Sequence, residues 1–171
     1  FYDYLIESGV KEEQIISIAL DDDTFIKYRD PEELSKFIRA KIVSKDMYYI
    51  LIDEVQYAIA KEELKNPDSI RLYNVLSGLM RLRNVDIYVT GSNSKMLTKD
   101  VLTVFRGRGD EVRVYPISFK EYYTAIGGDK IDAYEEYALY GGMPLVLSRK
   151  TDNDKMAYLQ SLFTEVYFKD I

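Results

Sequence analysis

The run MYYILIDEVQ (Met47–Gln56) decides how the rest of the chain reads. It is apolar from Met47 to Ile52 and then turns acidic at Asp53-Glu54. A half-exposed strand alternates apolar and polar residues. An unbroken apolar run instead suits a strand covered on both faces, as in a parallel sheet packed between helices. Two adjacent carboxylates then sit at the mouth of a buried strand, and open α/β sheets bind their ligands beyond the carboxyl ends of the strands.

Working outward, the neighbouring segments alternate in the same sense. QIISIAL (Gln14–Leu20) is a β-branched run ending in Asp21, Asp22 and Asp23. Asp30-Pro31-Glu32-Glu33 opens a helix: Asp30 caps it, Pro31 suits its first turn and Glu33 is placed to bond back to the cap amide. Leu34, Phe37, Ile38 and Ile42 form its buried stripe. A helix is predicted over 67–83, with Ile70, Tyr73, Leu76 and Met80 inward, then a strand over Val85–Thr90 that stops at Gly91. A short helix over 98–105, a strand over Glu111–Pro116 and a helix opened by the capping box Ser118-Phe119-Lys120-Glu121 follow. Beyond Ile131 the pattern is helical, broken at a corner, Gly141-Gly142-Met143-Pro144. Strands alternating with helices predict an α/β fold, a parallel sheet with helices on both faces, followed by a C-terminal helical region.

Composition narrows the chemistry. The 171 residues include no His, no Cys and no Trp. That excludes Ser–His–Asp and Cys–His nucleophile pairs, thiolate redox centres and the usual zinc sites. Any metal must be a hard ion on carboxylates and hydroxyls, with Mg²⁺ the default. A net charge of −6, from 23 basic and 29 acidic residues, argues against a surface given over to nucleic acid. No apolar run reaches membrane-spanning length, no signal pattern opens the chain, and the lack of Cys suits a reducing compartment, so the reading is cytoplasmic. The sixteen tyrosines read as a hydroxyl-rimmed core and surface.

Three features could carry chemistry. At Asp53-Glu54, one carboxylate would hold Mg²⁺ through water while the other polarises an attacking water; the plainer reading is two acidic residues ending a strand. IYVTGSNSKML (Ile87–Leu97) ends a strand in hydroxyl and amide groups suited to a phosphate, or simply to a turn that caps the next helix. VFRGRGDEVRVYP (Val104–Pro116) sets Arg106 and Arg108 in an open backbone, suited to charge on a transferring phosphoryl group or to an ordinary ion pair. Lys95 and Lys99 read as solvent-facing helix positions, and Asp21–Asp23 as a solvated strand end.

Together, in this order and spacing, these features resemble the P-loop ATPases of the AAA+ and STAND type, in particular the prokaryotic group with a C-terminal domain of unknown function. YYILIDEVQ looks like the Walker B strand and DIYVTGSNSKML like the sensor-1 strand and loop. RGRGDEVRVYPISFKEYY (Arg106–Tyr123) is similar to the Gly-Arg segment and following helix. YGGMPLVL and LFTEVYFKDI resemble the lid region. The resemblance implies a core over 1–126 and a helical lid over 127–171, with ATP and Mg²⁺ as ligands. It implies Asp53 as the Mg²⁺ residue, Glu54 as catalytic base, Ser92 or Asn93 as the sensor, and Arg106 or Arg108 as the arginine reaching a γ-phosphate. It leaves a protein or DNA partner open, and a homo-oligomer with it.

One departure is large. No Gly-x-x-x-x-Gly-Lys-Ser/Thr run, the loop that cradles phosphates, occurs in the chain. FYDYLIES reads as the end of a helix, with Tyr4 and Leu5 on one face and a stop at Gly9. Tyr158–Ile171 is helical without a stop signal, so both ends read as cut. The expectation is that the parent protein supplies the first strand and the loop upstream, and that without that strand Val112–Tyr115 lacks a neighbour. Two other readings compete: a non-catalytic interaction module on the same fold, and a receiver-type phosphoacceptor domain using Asp22, Asp53 and Thr90. The latter also needs a Lys ending its last strand, whereas Lys120 falls within a helix.

Overall fold

The computed structural model describes residues 1–66, 69–91 and 109–170. The helix expected over 98–105 lies outside them. The described residues form two compact units, Phe1–Glu111 and Val112–Ile171.

The first unit is built on three parallel strands, β1 (Ile15–Ala19), β2 (Tyr48–Asp53) and β3 (Val85–Val89), in the order β1-β2-β3. Helices α1 (Tyr2–Glu7), α2 (Pro31–Lys41) and α3 (Arg71–Leu79) accompany them. The register pairs Ile18 with Ile52 and Ala19 with Asp53 on one side, and Ile52 with Val89 on the other. The fold is therefore α/β, as the alternation of segments predicts.

The apolar run of β2 divides between two faces. Tyr48, Ile50 and Ile52 are buried in one cluster with Ile16 and Ile18 of β1, Leu34 and Ile38 of α2, and Leu72, Leu76 and Leu79 of α3. Tyr49 and Leu51, on the opposite face, are only half-buried. On that side the ring of Phe1, leading into α1, meets Tyr88 of β3 at 4.5 Å between centroids. Burial at alternate positions pins the register, because a one-residue slip would turn every buried side chain of β2 to the other face.

Local signals place the helices with some differences from expectation. Asp30 caps α2 by accepting from the Glu32 and Glu33 amides at 3.0 and 3.1 Å. Glu33 does not bond back to the cap amide. Its carboxylate meets Lys27 at 2.9 Å and Lys36 at 2.8 Å instead, and hydrogen bonds from Lys36 and then Lys27 pull its pKa down to about 2. Two ammonium groups in reach outcompete one backbone amide. In α1, Leu5 is buried but Tyr4 is exposed, since consecutive helix positions lie about 100° apart and share a face poorly. The helix ends, as expected, at a left-handed Gly9 with φ of 89°.

Glu111–Pro116 is not a strand, contrary to expectation. Val112, Val114 and Tyr115 are 82%, 91% and 70% exposed. A short β-rich sequence becomes a strand only when another strand satisfies its amides and carbonyls, and the described sheet pairs only β1, β2 and β3.

The second unit contains α4 (Phe119–Ile126), α5 (Lys130–Tyr140) and α6 (Asp152–Asp170). The capping box forms: the Ser118 amide donates to Glu121 at 2.7 Å and the Glu121 amide to Ser118 Oγ at 3.4 Å. Phe119 of α4 packs edge-on against Tyr134 of α5 at 5.2 Å, and the Tyr137 hydroxyl donates to the Ile117 carbonyl at 2.8 Å. At the corner after α5, the Ile117 amide donates to the Gly142 carbonyl at 2.8 Å. A Cβ on Gly142 would fall 2.2 Å from the Ile117 carbonyl oxygen, so this close backbone approach requires glycine. Within α3, by contrast, a Cβ on Gly78 would meet only the side chain of Arg39, at 3.6 Å.

These two glycines predict opposite signs. Gly142→Ala should destabilise the second unit by about 1–3 kcal/mol through overpacking. Gly78→Ala should stabilise the first by about 0.4–1 kcal/mol, through helix propensity and a less flexible unfolded chain. Chemical denaturation of each variant against wild type measures both.

Candidate functional site

The carboxyl ends of the three strands are tied together around Asp53. The Leu20 amide, just past β1, donates to the Asp53 carbonyl at 3.1 Å. Just past β3, the Thr90 amide donates to the Ile52 carbonyl at 2.9 Å, and the Thr90 carbonyl accepts from the Val55 amide at 3.0 Å. The ladder thus continues through the strand ends into the turn that follows β2. The Asp53 carboxylate, exposed at this edge, accepts at Oδ1 from the Thr90 hydroxyl and, at 3.1 Å, from the Glu54 amide.

Glu54 is the one non-glycine residue with positive φ among the described residues, at φ 55° and ψ 47°. A left-handed conformation costs a residue with a Cβ about 1–2 kcal/mol, and such outliers concentrate at functional sites. It also ends the strand's alternation, which would otherwise send the Asp53 and Glu54 side chains to opposite faces. The Glu54 carboxylate accepts from the Gln56 side-chain amide at Oε2. Val55 and Ala58, both 3% exposed, anchor the short helical turn Val55–Ala58 in the core.

Arg29, at the end of the helical turn Asp23–Arg29 that follows β1, braces the Val55–Ala58 turn. Its Nε donates to the Leu20 carbonyl at 2.7 Å and its Nη2 to the Asp21 carbonyl at 3.1 Å, while the guanidinium lies 4.7 Å from the centre of the Tyr57 ring. Asp22 acts as a cap. Its carboxylate accepts from the Thr24 amide and hydroxyl, both at 2.8 Å, and these bonds hold its pKa below the usual carboxylate range.

Asp53 and Glu54 therefore stand together at the carboxyl edge of the central strand. Ser92, Asn93, Arg106 and Arg108 lie outside the described residues, as do Lys95 and Lys99. Thr90, which the receiver-type reading names with Asp53, takes part, and so do two residues that sequence reasoning does not assign to this site, Gln56 and Arg29. Thr90 ends the strand run IYVT and Gln56 closes IDEVQ, so both lie inside recognisable strand-end motifs, whereas Arg29 carries no local signal.

The donor set can be tested against the ligands the fold implies. Asp53 and Thr90 offer only oxygens, few in number and facing outward. Among the described residues no group of three or more carboxylates gathers into a metal cage. The Asp53 carboxylate at this exposed edge is the kind of single-carboxylate donor that Mg²⁺ takes, since Mg²⁺ keeps several waters and is held by one or two carboxylates plus substrate phosphates. The residues present do not supply a phosphate cradle, since the glycine-rich loop with its Lys is not in the sequence.

A family model described as an AAA domain matches residues 1–123. The chain belongs to this family of AAA-like, P-loop ATPase-type domains, a class that binds nucleotide and generally uses ATP with Mg²⁺. It is similar over its whole length to an uncharacterized protein of Haemophilus influenzae, 29% identical over 177 residues that make up 41% of that protein. It is also similar to an uncharacterized protein of Methanocaldococcus jannaschii, 24% identical over 183 residues and 36% of that protein. The chain thus spans about two-fifths of the length of these relatives. No solved structure matches it significantly. Among the described residues no helix is long and apolar enough to cross a membrane.

If Arg29 braces the turn, Arg29→Ala should speed hydrogen exchange of the amides of residues 55–58 about two- to fivefold, the worth of an exposed cation–π contact to the Tyr57 ring. Amides of α5 should be unaffected. Unchanged exchange at 55–58 would mean that the buried Val55 and Ala58 hold the turn unaided.

Proposed function

We propose that this chain carries the metal- and water-handling part of an ATP-hydrolysing AAA+ site. The observation that supports it best is the placement of Asp53 and Glu54 at the carboxyl end of the central buried parallel strand, with Thr90 of the neighbouring strand bonded to Asp53. In this reading Asp53 is the Walker B aspartate and orients Mg²⁺ through a water, with Thr90 fixing the carboxylate. Bound there, Mg²⁺ would supply charge neutralisation for the phosphates of a nucleotide. Glu54 accepts the proton of the attacking water, and the left-handed turn frees its carboxylate from the strand's alternation to do so.

The remaining assignments follow the family resemblance. Ser92 or Asn93, just beyond Thr90, acts as the sensor of the γ-phosphate. Arg106 or Arg108 stabilises the charge that develops on the transferring group. Residues 1–126 form the nucleotide-handling core and 127–171 the lid that responds to nucleotide state, as in the STAND-like group with a further C-terminal domain. The phosphate cradle comes from a segment outside this sequence, and the protein works in the cytoplasm.

In the natural protein, Glu54→Gln should lower the hydrolysis rate about 10²–10⁴-fold, the range of general base catalysis, while ATP affinity stays within about threefold because only water activation is lost. Unchanged turnover would remove Glu54 from the base role. Loss of ATP binding would show that Glu54 belongs to the binding surface instead.

A further inference from the structure

We infer that Gln56 is the positioning residue of Glu54, holding one carboxylate oxygen so that the other is presented to the attacking water. The inference rests on the reading of Glu54 as base. It comes from the turn itself. Gln56 lies two residues beyond Glu54, half-buried between the buried Val55 and Ala58. The backbone around it is fixed, with the Tyr57 amide donating to the Glu54 carbonyl at 3.0 Å and the Ile59 amide to the Gln56 carbonyl at 3.2 Å. From that fixed point the Gln56 Nε2 donates to Glu54 Oε2. Glu54 Oε1 accepts no bond among the described residues, which leaves a lone pair for water.

The side-chain type matters as much as the place. A glutamine amide orients a carboxylate without bringing a charge. An ammonium or guanidinium in the same place would stabilise the ionised carboxylate and weaken it as a base. A carboxylate there would repel it. A carboxylate on three rotatable bonds otherwise samples several rotamers, and a misplacement of about 1 Å can cost about 10²-fold in rate. The left-handed backbone of Glu54 sets the direction in which its side chain leaves the turn, and Gln56 fixes its far end.

The test uses the natural protein. Gln56→Ala should lower kcat for ATP hydrolysis about 10- to 100-fold, with KM for ATP and the melting temperature unchanged. Gln56→Glu should lower kcat further. In a Glu54→Gln background, Gln56→Ala should have no additional effect. A shift in KM and melting temperature along with kcat, or no fall in kcat, would overturn the inference. A second readout is independent of hydrolysis. With glutamine selectively ¹⁵N-labelled, the Gln56 side-chain amide signals of the nucleotide-free protein should move in Glu54→Ala. Unmoved signals would refute the contact itself. Unchanged turnover in Glu54→Gln with moved amide signals would instead refute the base role while leaving the contact intact.

Discussion

The structure depends on how Asp53 is held at the end of β2. Its carbonyl is tied to Leu20 beyond β1, and its carboxylate to Thr90 beyond β3 and to the amide of Glu54. A carboxylate that must orient a hydrated Mg²⁺ is useful only if its own position is settled before the ion arrives. Here one residue from each flanking strand end ties Asp53 down, so the position of its carboxylate is inherited from strand pairing.

Strand pairing rests in turn on burial. Ile50 and Ile52 of β2, with Leu34, Ile38, Leu72 and Leu79 from the helices, are at most 1% exposed. Apolar burial is not directional, yet combined with the two-residue period of a strand it fixes register, and register decides that Asp53 rather than Ile52 emerges at the edge. The exit from the strand is where regular geometry stops. Glu54 takes a left-handed conformation, Val55 and Ala58 return to the core, and Arg29 bridges the β1 end to the ring of Tyr57. The cost of the left-handed residue is met by the packing on either side of it.

Much of this is legible in residue order. The apolar run before Asp53-Glu54, the Asp30-Pro31 helix start and the Ser118–Glu121 capping box each carry their cause within a few residues, and each forms. What residue order does not reveal depends on partners distant in sequence or on competition. Glu33 takes two lysines over a cap amide. Glu111–Pro116 has β-prone composition, but a strand is a property of a pair. Arg29 reaches the site only because the segment after β1 folds back across the turn after β2. Thr90 and Gln56 stand at the ends of strand motifs, yet only the three-dimensional arrangement gives each a bond to a particular carboxylate.

In the function proposed above, the oxygen donors exposed at the carboxyl edge of the parallel sheet act on a hard metal and a water. The most direct test is a crystal structure of the natural protein with Mg²⁺ and a non-hydrolysable ATP analogue. The account predicts Mg²⁺ one water away from the Asp53 carboxylate, about 4 Å, with the γ-phosphate facing Glu54. A nucleotide bound with its metal remote from Asp53 would contradict it.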